Sequence, residues 1–345
     1  MPERMSDDQL SAAIRQQAAS LDFDLVRIAP AVSPTGFHPL LKWIDNGYAA
    51  DMDWIDRRRE AYQHPDGVMP GTRSVIVVAL NYSNEAPDPA AEFRISRYAW
   101  GTSDYHTIIR RRLKSLCRFL REQRPEAHSR AVVDTAPLLE RDFARIAGIG
   151  WFGKNTMLIS REIGSWFFLG AVLTELTLEY DAPFENDYCG TCTACLDACP
   201  TDAFPKPGVL DANRCISYLT IERRGKPIPP ALQSGILDWI FGCDICQEVC
   251  PWNRFAPSDS LPEFAPRAEI KSTRLVDLLA LDEAGFERLF AGTPLFRTGR
   301  EAIVRNAAVV AGNVRSLECR EALQQLTADA SPLLREAAQQ ALQKM

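Results

Sequence analysis

The chain has 345 residues, 46% of them hydrophobic and 24% charged, with a formal net charge of −6. These proportions describe a soluble globular protein of two or three domains and exclude broad disorder, and the acidic balance excludes indiscriminate nucleic-acid binding while leaving room for local basic patches. The longest nearly apolar stretch, 163–173, is too short to cross a bilayer, and MPERMSDDQL has neither an apolar leader nor a twin-arginine signal, so a cytoplasmic location without membrane contact is expected.

Residues 6–19 have helical spacing with Ser6 placed as N-cap, and residues 23–28 alternate as a strand does. Residues 74–80 read as a buried strand, 105–120 as a basic amphipathic helix, 131–134 as a short strand and 137–147 as a helix opening on Pro137. Two further strands are predicted at 156–160 and 166–174, joined by a turn through Gly164. These elements make residues 1–178 one domain. Residues 179–257 form a cysteine module whose connections are punctuated by Pro205, Pro207, Pro227, Pro229 and Pro230. After a polar, proline-bearing linker, residues 267–345 predict a helical tail with Leu, Ala and Val at three- and four-residue steps. Within it IVRNAAVVAGN and LLREAAQQALQ share an Arg, an Ala pair and an apolar helical face, which suits a short HEAT-like pair of repeats or an ordinary helical cap.

The cysteines carry the clearest chemistry. Cys189, Cys192, Cys195 and Cys199 run C-x2-C-x2-C-x3-C into Pro200, and Cys215, Cys243, Cys246 and Cys250 follow, the last before Pro251. In the bacterial ferredoxin run, three thiolates close on one iron–sulfur cluster and the fourth ligates another. By that crossing Cys189, Cys192, Cys195 and Cys250 hold one 4Fe-4S cluster, and Cys199, Cys215, Cys243 and Cys246 the second. Cys215 there replaces the ligand that the second block lacks. CxxC pairs also suit tetrahedral zinc, but the Cys-Pro endings favour iron–sulfur. A disulfide framework is disfavoured, because the chain is far longer than the small secreted domains that need one. Cys117 and Cys319, on predicted helices, read as ordinary buried thiols.

Residues 132–160, VVDTAPLLERDFARIAGIGWFGKNTMLIS, are chemically dense. Asp134 ends a predicted strand. A carboxylate there, partly buried beside a pocket, would keep its proton at neutral pH and act as a general acid; alternatively Asp134 caps the following helix. Gly148, Gly150 and Gly153 flank Trp151 and Phe152 in a loop that lets backbone approach a ligand, with Lys154 and Asn155 as donors. The pattern is not G-x-G-x-x-G between a strand and a helix, so a dinucleotide site is disfavoured.

SRYAWGTSDYH at 96–106, the 134–160 segment, GSWFFLG at 164–170, CGTCTACLDACPTDAF from Cys189, RCISYLTIE from Arg214, FGCDICQEVCPWN from Phe241 and the RNAAVVAGN tail together resemble the epoxyqueuosine reductase family over almost the whole chain. The resemblance implies removal of the epoxide oxygen from epoxyqueuosine at the wobble position of tRNA, leaving queuosine and water and consuming two electrons and two protons. It further implies cobalamin charged from the two 4Fe-4S clusters, an unidentified electron donor, and Asp134 as the acid for the departing oxygen. Elementary chemistry agrees, because opening an epoxide needs a soft nucleophile or one-electron donor that no side chain supplies, together with a nearby acid. The implied fold is α+β: an N-terminal α/β cobalamin-binding domain, a ferredoxin-like double 4Fe-4S module and a HEAT-like helical tail.

None of His38, His64, His106 and His128 lies in a D-x-H-x-x-G pattern; Asp104 and His106 come nearest, with Ile109 in the glycine place. Base-off cobalamin without a protein histidine on cobalt is therefore expected. Its contacts are expected at Arg57, Arg97, Tyr98, Asp134, Lys154, Asn155, Thr156, Ser160, Cys243 and Asp244. For tRNA, Arg223, Arg224 and Lys226 beside Cys215, and Arg297, Arg300 and Arg305 at the start of the tail, are the expected contacts, ahead of the basic helix at 105–120. Tyr218 and Trp252 are available for base stacking, although packing suits Trp252 better beside a cluster ligand. The family often carries glycine where Asp202 stands and aspartate where Ile245 stands; neither change removes a ligand. A cobalamin-dependent reductive dehalogenase and a non-catalytic electron carrier are the alternatives. The missing twin-arginine leader speaks against the first, and the long stretch ahead of Asp134 against the second. A monomer is expected.

Overall fold

The computed structural model describes residues 5–84, 88, 90–258 and 260–345. The helix Asp7–Ala19 opens on Ser6 as expected, and the Gln9 side chain returns a bond to the Ser6 backbone, completing a capping box. The strands among the described residues are β1 (Leu25–Pro30), β2 (Ser74–Asn81), β3 (Arg94–Ile95), β4 (Ser129–Val132), β5 (Trp151–Phe152), β6 (Leu158–Ile159), β7 (Phe167–Thr174) and β8 (Trp239–Phe241).

The main sheet runs β1-β2-β7-β4 and is antiparallel at every step. This corrects the α/β expectation for the N-terminal domain. Each neighbouring pair reverses direction, so no strand–helix–strand crossover of the parallel kind forms. β2 is buried along its whole length because both faces of the sheet are covered. Ile76, Val78 and Leu80 pack with Leu10, Ile14, Ile109 and Leu116 of the helices Asp7–Ala19 and Tyr105–Gln123. The alternate residues Val75, Val77 and Ala79 pack with Phe143 and Ala144 of the helix Glu140–Ile146.

Gly170 of β7 lets the helix Tyr105–Gln123 seat closely: a methyl group there would stand 2.9 Å from Ile109 Cγ2. At the head of that helix the Tyr105 ring stacks on Phe168 of β7, centroids 4.3 Å apart. The first turn is thereby held level with the chain that leaves β4. The helix expected from Pro137 starts only at Glu140. Around this start Thr135, Leu138 and Glu140 each donate to the carbonyl two residues back, and these tight turns use the groups a helix would need.

Two pairings were not legible in the sequence. Trp151–Phe152, expected as loop, forms a hairpin with β6, and Arg94–Ile95 pairs in parallel with β8. The second pairing ties the segment ahead of the Tyr105 helix to the cysteine module. The tail joins the same core: Ile95, Leu219, Trp239 and Phe241 pack in one cluster with Val304, Ala307, Ala308 and Leu334. The cysteine module and the tail therefore share one core.

The helix Arg300–Asn313 is buried from Ala302 to Gly312, so it has no wet face. Asn306 within it donates to the carbonyls of Thr220 and Ile240, each at 2.8 Å, pinning the cysteine module from behind. The two look-alike tail segments are neighbours in space. A methyl group at Gly312 would come within 2.8 Å of Ala341 Cα in the helix Pro332–Leu342. Among the described residues no helix is long and apolar enough to cross a membrane. Cys319 is buried, as expected, whereas Cys117 is only partly so; burial pushes its thiol up to about 11.

Candidate functional site

The cluster cysteines fall into two groups in space. Burial raises the Cys195 thiol, and the neighbouring thiols of Cys189, Cys250 and Cys192 raise it further. Burial likewise raises Cys215, beside Cys199, and Cys243, beside Cys246 and Cys215. Crowded thiols of this kind lose their protons to a bound metal. In the first group Cys192 is exposed and Cys250 is buried. Trp151, Tyr188 and Trp252 wall it, and Trp252 sits edge-on to Trp151 with centroids 4.9 Å apart, which is packing rather than a platform for bases. In the second group the Ala203 N–H points at Cys199 Sγ, 3.3 Å away. Asp202, just before it, has φ 47°, the left-handed region where glycine is usual and aspartate is tolerated.

A cavity of about 1420 Å³ is lined by the N-terminal domain, the cysteine module and the tail together. That exceeds the roughly 300–1,000 Å³ of ordinary small-molecule pockets. Leu40, Trp43, Tyr98, Phe152, Leu210 and Phe241 give it apolar walls, and Lys42, Arg141, Arg145, Lys206, Arg224 and Arg297 give it cations. Asp134 and the cluster cysteine Cys215 both face into it.

Of the residues expected around a corrin, Tyr98, Asp134 and Thr156 line this cavity. The others have different work. Lys154 donates to the carbonyls of Gly190 and Cys192, at 2.7 and 2.9 Å, and Asn155 donates to that of Cys246 at 3.1 Å. Adjacent residues thus tie down one cysteine loop each. Arg97 lays its guanidinium over the Trp166 ring, 4.6 Å from the centroid, and Ser160 is buried where it bridges to Gly164. Asp244 accepts from Ser96 Oγ and from the Arg97 N–H, the latter at 2.8 Å, and burial pushes its carboxyl up to about 6. Cys243 is turned toward its fellow thiols, and Arg57 is exposed after the short helix Asp53–Asp56, outside the cavity lining.

Asp134 stands two residues beyond β4 at φ 56°. Its N–H donates to Glu140 Oε1 at 2.8 Å, and its Oδ2 accepts from Tyr105 Oη at 2.9 Å and faces His106 Nε2 at 3.0 Å. It does not cap the helix Glu140–Ile146, which has no side-chain cap. The side chain is 61% exposed because it looks into the cavity. Burial raises the carboxyl, but the bonds from His106 and Tyr105 outweigh it and hold the group below the usual range. The expectation that Asp134 keeps its proton through burial is therefore corrected: it rests ionised. The raised carboxyl is that of Glu140, pushed up to about 8 by burial and then by the charge on Asp134. Sequence reasoning passed over His106, Tyr105, Glu140 and Arg141. The available signal was Asp104-x-His106 at a helix start, which was weighed only as a cobalt ligand.

Among the expected tRNA contacts, Arg224 and Arg297 lie on the cavity wall, 48% and 45% exposed. Arg223 and Lys226 pair with Asp51, at 3.7 and 2.8 Å. Arg300 donates to the Leu281 carbonyl and faces Asp329 at 3.6 Å. Tyr218 is buried and donates to Asp51 Oδ2, so it offers no free ring face to a base. Arg305 is no tRNA contact either: it is 1% exposed and donates to the carbonyls of Arg223, Lys226 and Leu219. Its guanidinium closes the loop that follows Cys215. Replacing it with leucine strands those carbonyls and should destabilise the fold by about 3 kcal/mol, at about 1–3 kcal/mol for each unsatisfied group. Thermal unfolding of Arg305→Leu measures this, and an unchanged midpoint would contradict it.

Cysteines at iron–sulfur spacing, one of which borders a large cavity that also holds a hydrogen-bonded carboxylate, point to an iron–sulfur oxidoreductase. Residues 188–253 match the family described as a 4Fe-4S double cluster binding domain, and residues 63–135 match the one described as Epoxyqueuosine reductase QueG, DUF1730. The chain is 44% identical over 272 residues to the epoxyqueuosine reductase of Synechocystis sp., covering 78% of this chain and 92% of that one. It is 41% identical over 317 residues to that of Vibrio cholerae, covering 90% and 85%. A crystal structure of an epoxyqueuosine reductase with an epoxyqueuosine-modified tRNA-Tyr stem loop matches with a TM-score of 0.90 at 31% identity, over 97% of this chain and 90% of that one. The chain belongs to the epoxyqueuosine reductase family.

Proposed function

We infer that this chain reduces epoxyqueuosine to queuosine in tRNA, with Asp134 handling the proton and the two cysteine cages holding the 4Fe-4S clusters that carry the electrons. One observation carries the chemistry: Asp134 and Cys215 face the same cavity, so a carboxylate able to relay protons and the end of an electron path would meet there. Electrons from an outside donor would enter at the cluster of Cys189, Cys192, Cys195 and Cys250, where Cys192 reaches the surface. They would leave through that of Cys199, Cys215, Cys243 and Cys246, beside the cavity. The kinship with tRNA-acting enzymes favours a tRNA substrate over a halogenated small molecule. An acid at the cavity wall gives a mere electron carrier no advantage. A tRNA substrate also supports a cytoplasmic location.

The cavity suits cobalamin. It has tetrapyrrole-scale room, apolar walls and backbone within reach at Gly153 and Gly208. Trp43, Tyr98, Phe152, Leu210 and Phe241 would hold the ring, and Lys206, Arg141 and Thr156 its polar side chains. Bound there, it supplies the soft nucleophile or one-electron donor that no amino acid offers.

Arg224 and Arg297 would meet the phosphates of the anticodon loop at the cavity mouth. Replacing Arg224 with alanine should weaken binding of a tRNA stem loop and lower the slope of log K against log salt by about one unit. Binding isotherms at several salt concentrations test this, and an unaltered slope would remove Arg224 from the contact. The function itself is tested by incubating anaerobically reconstituted protein with cobalamin, a chemical reductant and tRNA bearing epoxyqueuosine, then analysing nucleosides by mass. Queuosine is the expected product, and untouched epoxyqueuosine would overturn the assignment.

A further inference from the structure

Releasing an epoxide oxygen as water makes a demand on protons that one carboxylic acid does not meet. When the first C–O bond breaks, the alkoxide takes a proton and becomes a hydroxyl. When the second breaks, that hydroxyl leaves with another proton as water, and the two electrons delivered by the reductant end in the new C=C bond. Asp134 holds at most one proton and rests without it.

The surroundings of Asp134 contain a second carrier. His106 is buried in the first turn of the helix Tyr105–Gln123, with Nε2 3.0 Å from Asp134 Oδ2 and Nδ1 2.8 Å from Asp104 Oδ1. An imidazole between two carboxylates donates to both only when both nitrogens carry hydrogen. Asp104 is held as an anion: Oδ1 also accepts from the His106 N–H at 3.0 Å, and Oδ2 accepts from Arg297. Tyr105 stacks on the imidazole, centroids 4.1 Å apart, and bonds Asp134. The other charged groups facing this row are Arg297, whose Nη1 lies 3.2 Å from Nδ1, Arg141 on the cavity wall, and Glu140 behind Asp134. Burial lowers the imidazolium, but the bonds to Asp104 and Asp134 outweigh it and hold the ring above its ordinary value.

We propose that His106 is the proton store behind Asp134, a positioning residue that acts through Asp134 to supply the protons for both C–O cleavages. The proposal rests on the epoxide-reducing function inferred above. Asp134 takes the Nε2 proton and passes it to the alkoxide; His106 regains a proton from solvent and repeats the transfer for the departing hydroxyl. The sum is two protons from water and two electrons from the reductant, giving an alkene and one water.

The test has a spectroscopic and a kinetic arm. In the cluster-loaded chain labelled with 15N-histidine, His106, assigned by its loss in His106→Gln, should be doubly protonated at neutral pH, and Asp104→Asn should shift its titration toward that of free imidazole. A singly protonated ring in the unaltered protein overturns the proposal, whether or not any variant folds. Kinetically, His106→Ala that keeps both clusters should lose about 100-fold in kcat with little change in KM, the lower end of general acid contributions. Added imidazole should restore much of that loss. An unchanged kcat, or a loss that imidazole does not touch, overturns the proposal. If the unaltered protein leaves epoxyqueuosine intact, the functional assignment fails, and the NMR arm alone then decides the protonation of His106.

Discussion

Asp134→Asn should turn over epoxyqueuosine about 100- to 10,000-fold more slowly than the unaltered enzyme, the range general acid help typically covers. The substitution removes the capacity to carry a proton and the charge that faces His106 and Glu140, while leaving the shape in place. Asparagine has nearly the same shape, and it tolerates the left-handed backbone at φ 56° about as well as aspartate does. Its amide oxygen still accepts from Tyr105, and its N–H still reaches Glu140. Iron content and cluster absorption should therefore be unchanged. Nucleoside mass analysis against time measures the effect, and undiminished turnover would take Asp134 out of the reaction.

Cys215→Ala should halve the bound iron and abolish turnover, although the cluster of Cys189, Cys192, Cys195 and Cys250 stays in place and remains reducible. Cys215 sits at the head of the short helix Ile216–Ile221, far in sequence from both ferredoxin-like blocks, and it is the cluster cysteine that faces the cavity. Its thiol is partly buried, beside Cys199. Losing it opens the inner cage and cuts the electron path next to the substrate, while the outer cage keeps all its ligands. Iron analysis with reductive titration distinguishes the two clusters. Full iron in the variant would remove Cys215 from the ligand set.

What could be read along the chain was what short covalent spacing dictates. The cysteine runs place thiolates within a few residues of one another, which is enough to expect a ligand cage, and Cys195 lies beside Cys189, Cys192 and Cys250. Ser6 and Gln9 cap a helix for the same local reason, and β2 is apolar at six successive positions because both of its faces are covered. Asp134 stood out through its motif. The protonation inferred for it did not hold, because it depends on His106, 28 residues away, and on a helix seated against Gly170.

The cofactor and tRNA contacts were harder to read for the same reason. Lys154 and Asn155 were expected as donors to a ligand, but their partners are carbonyls of two cysteine loops that meet them only in space. Arg305 reads as a surface cation in a helical repeat until the helix Arg300–Asn313 proves to be buried all round. Local pattern settles ligand type and spacing, since bonds a few residues long leave little freedom. Charge state, exposure and the walls of the cavity arise where distant segments pack, and those energies belong to pairs of residues that the linear order keeps apart.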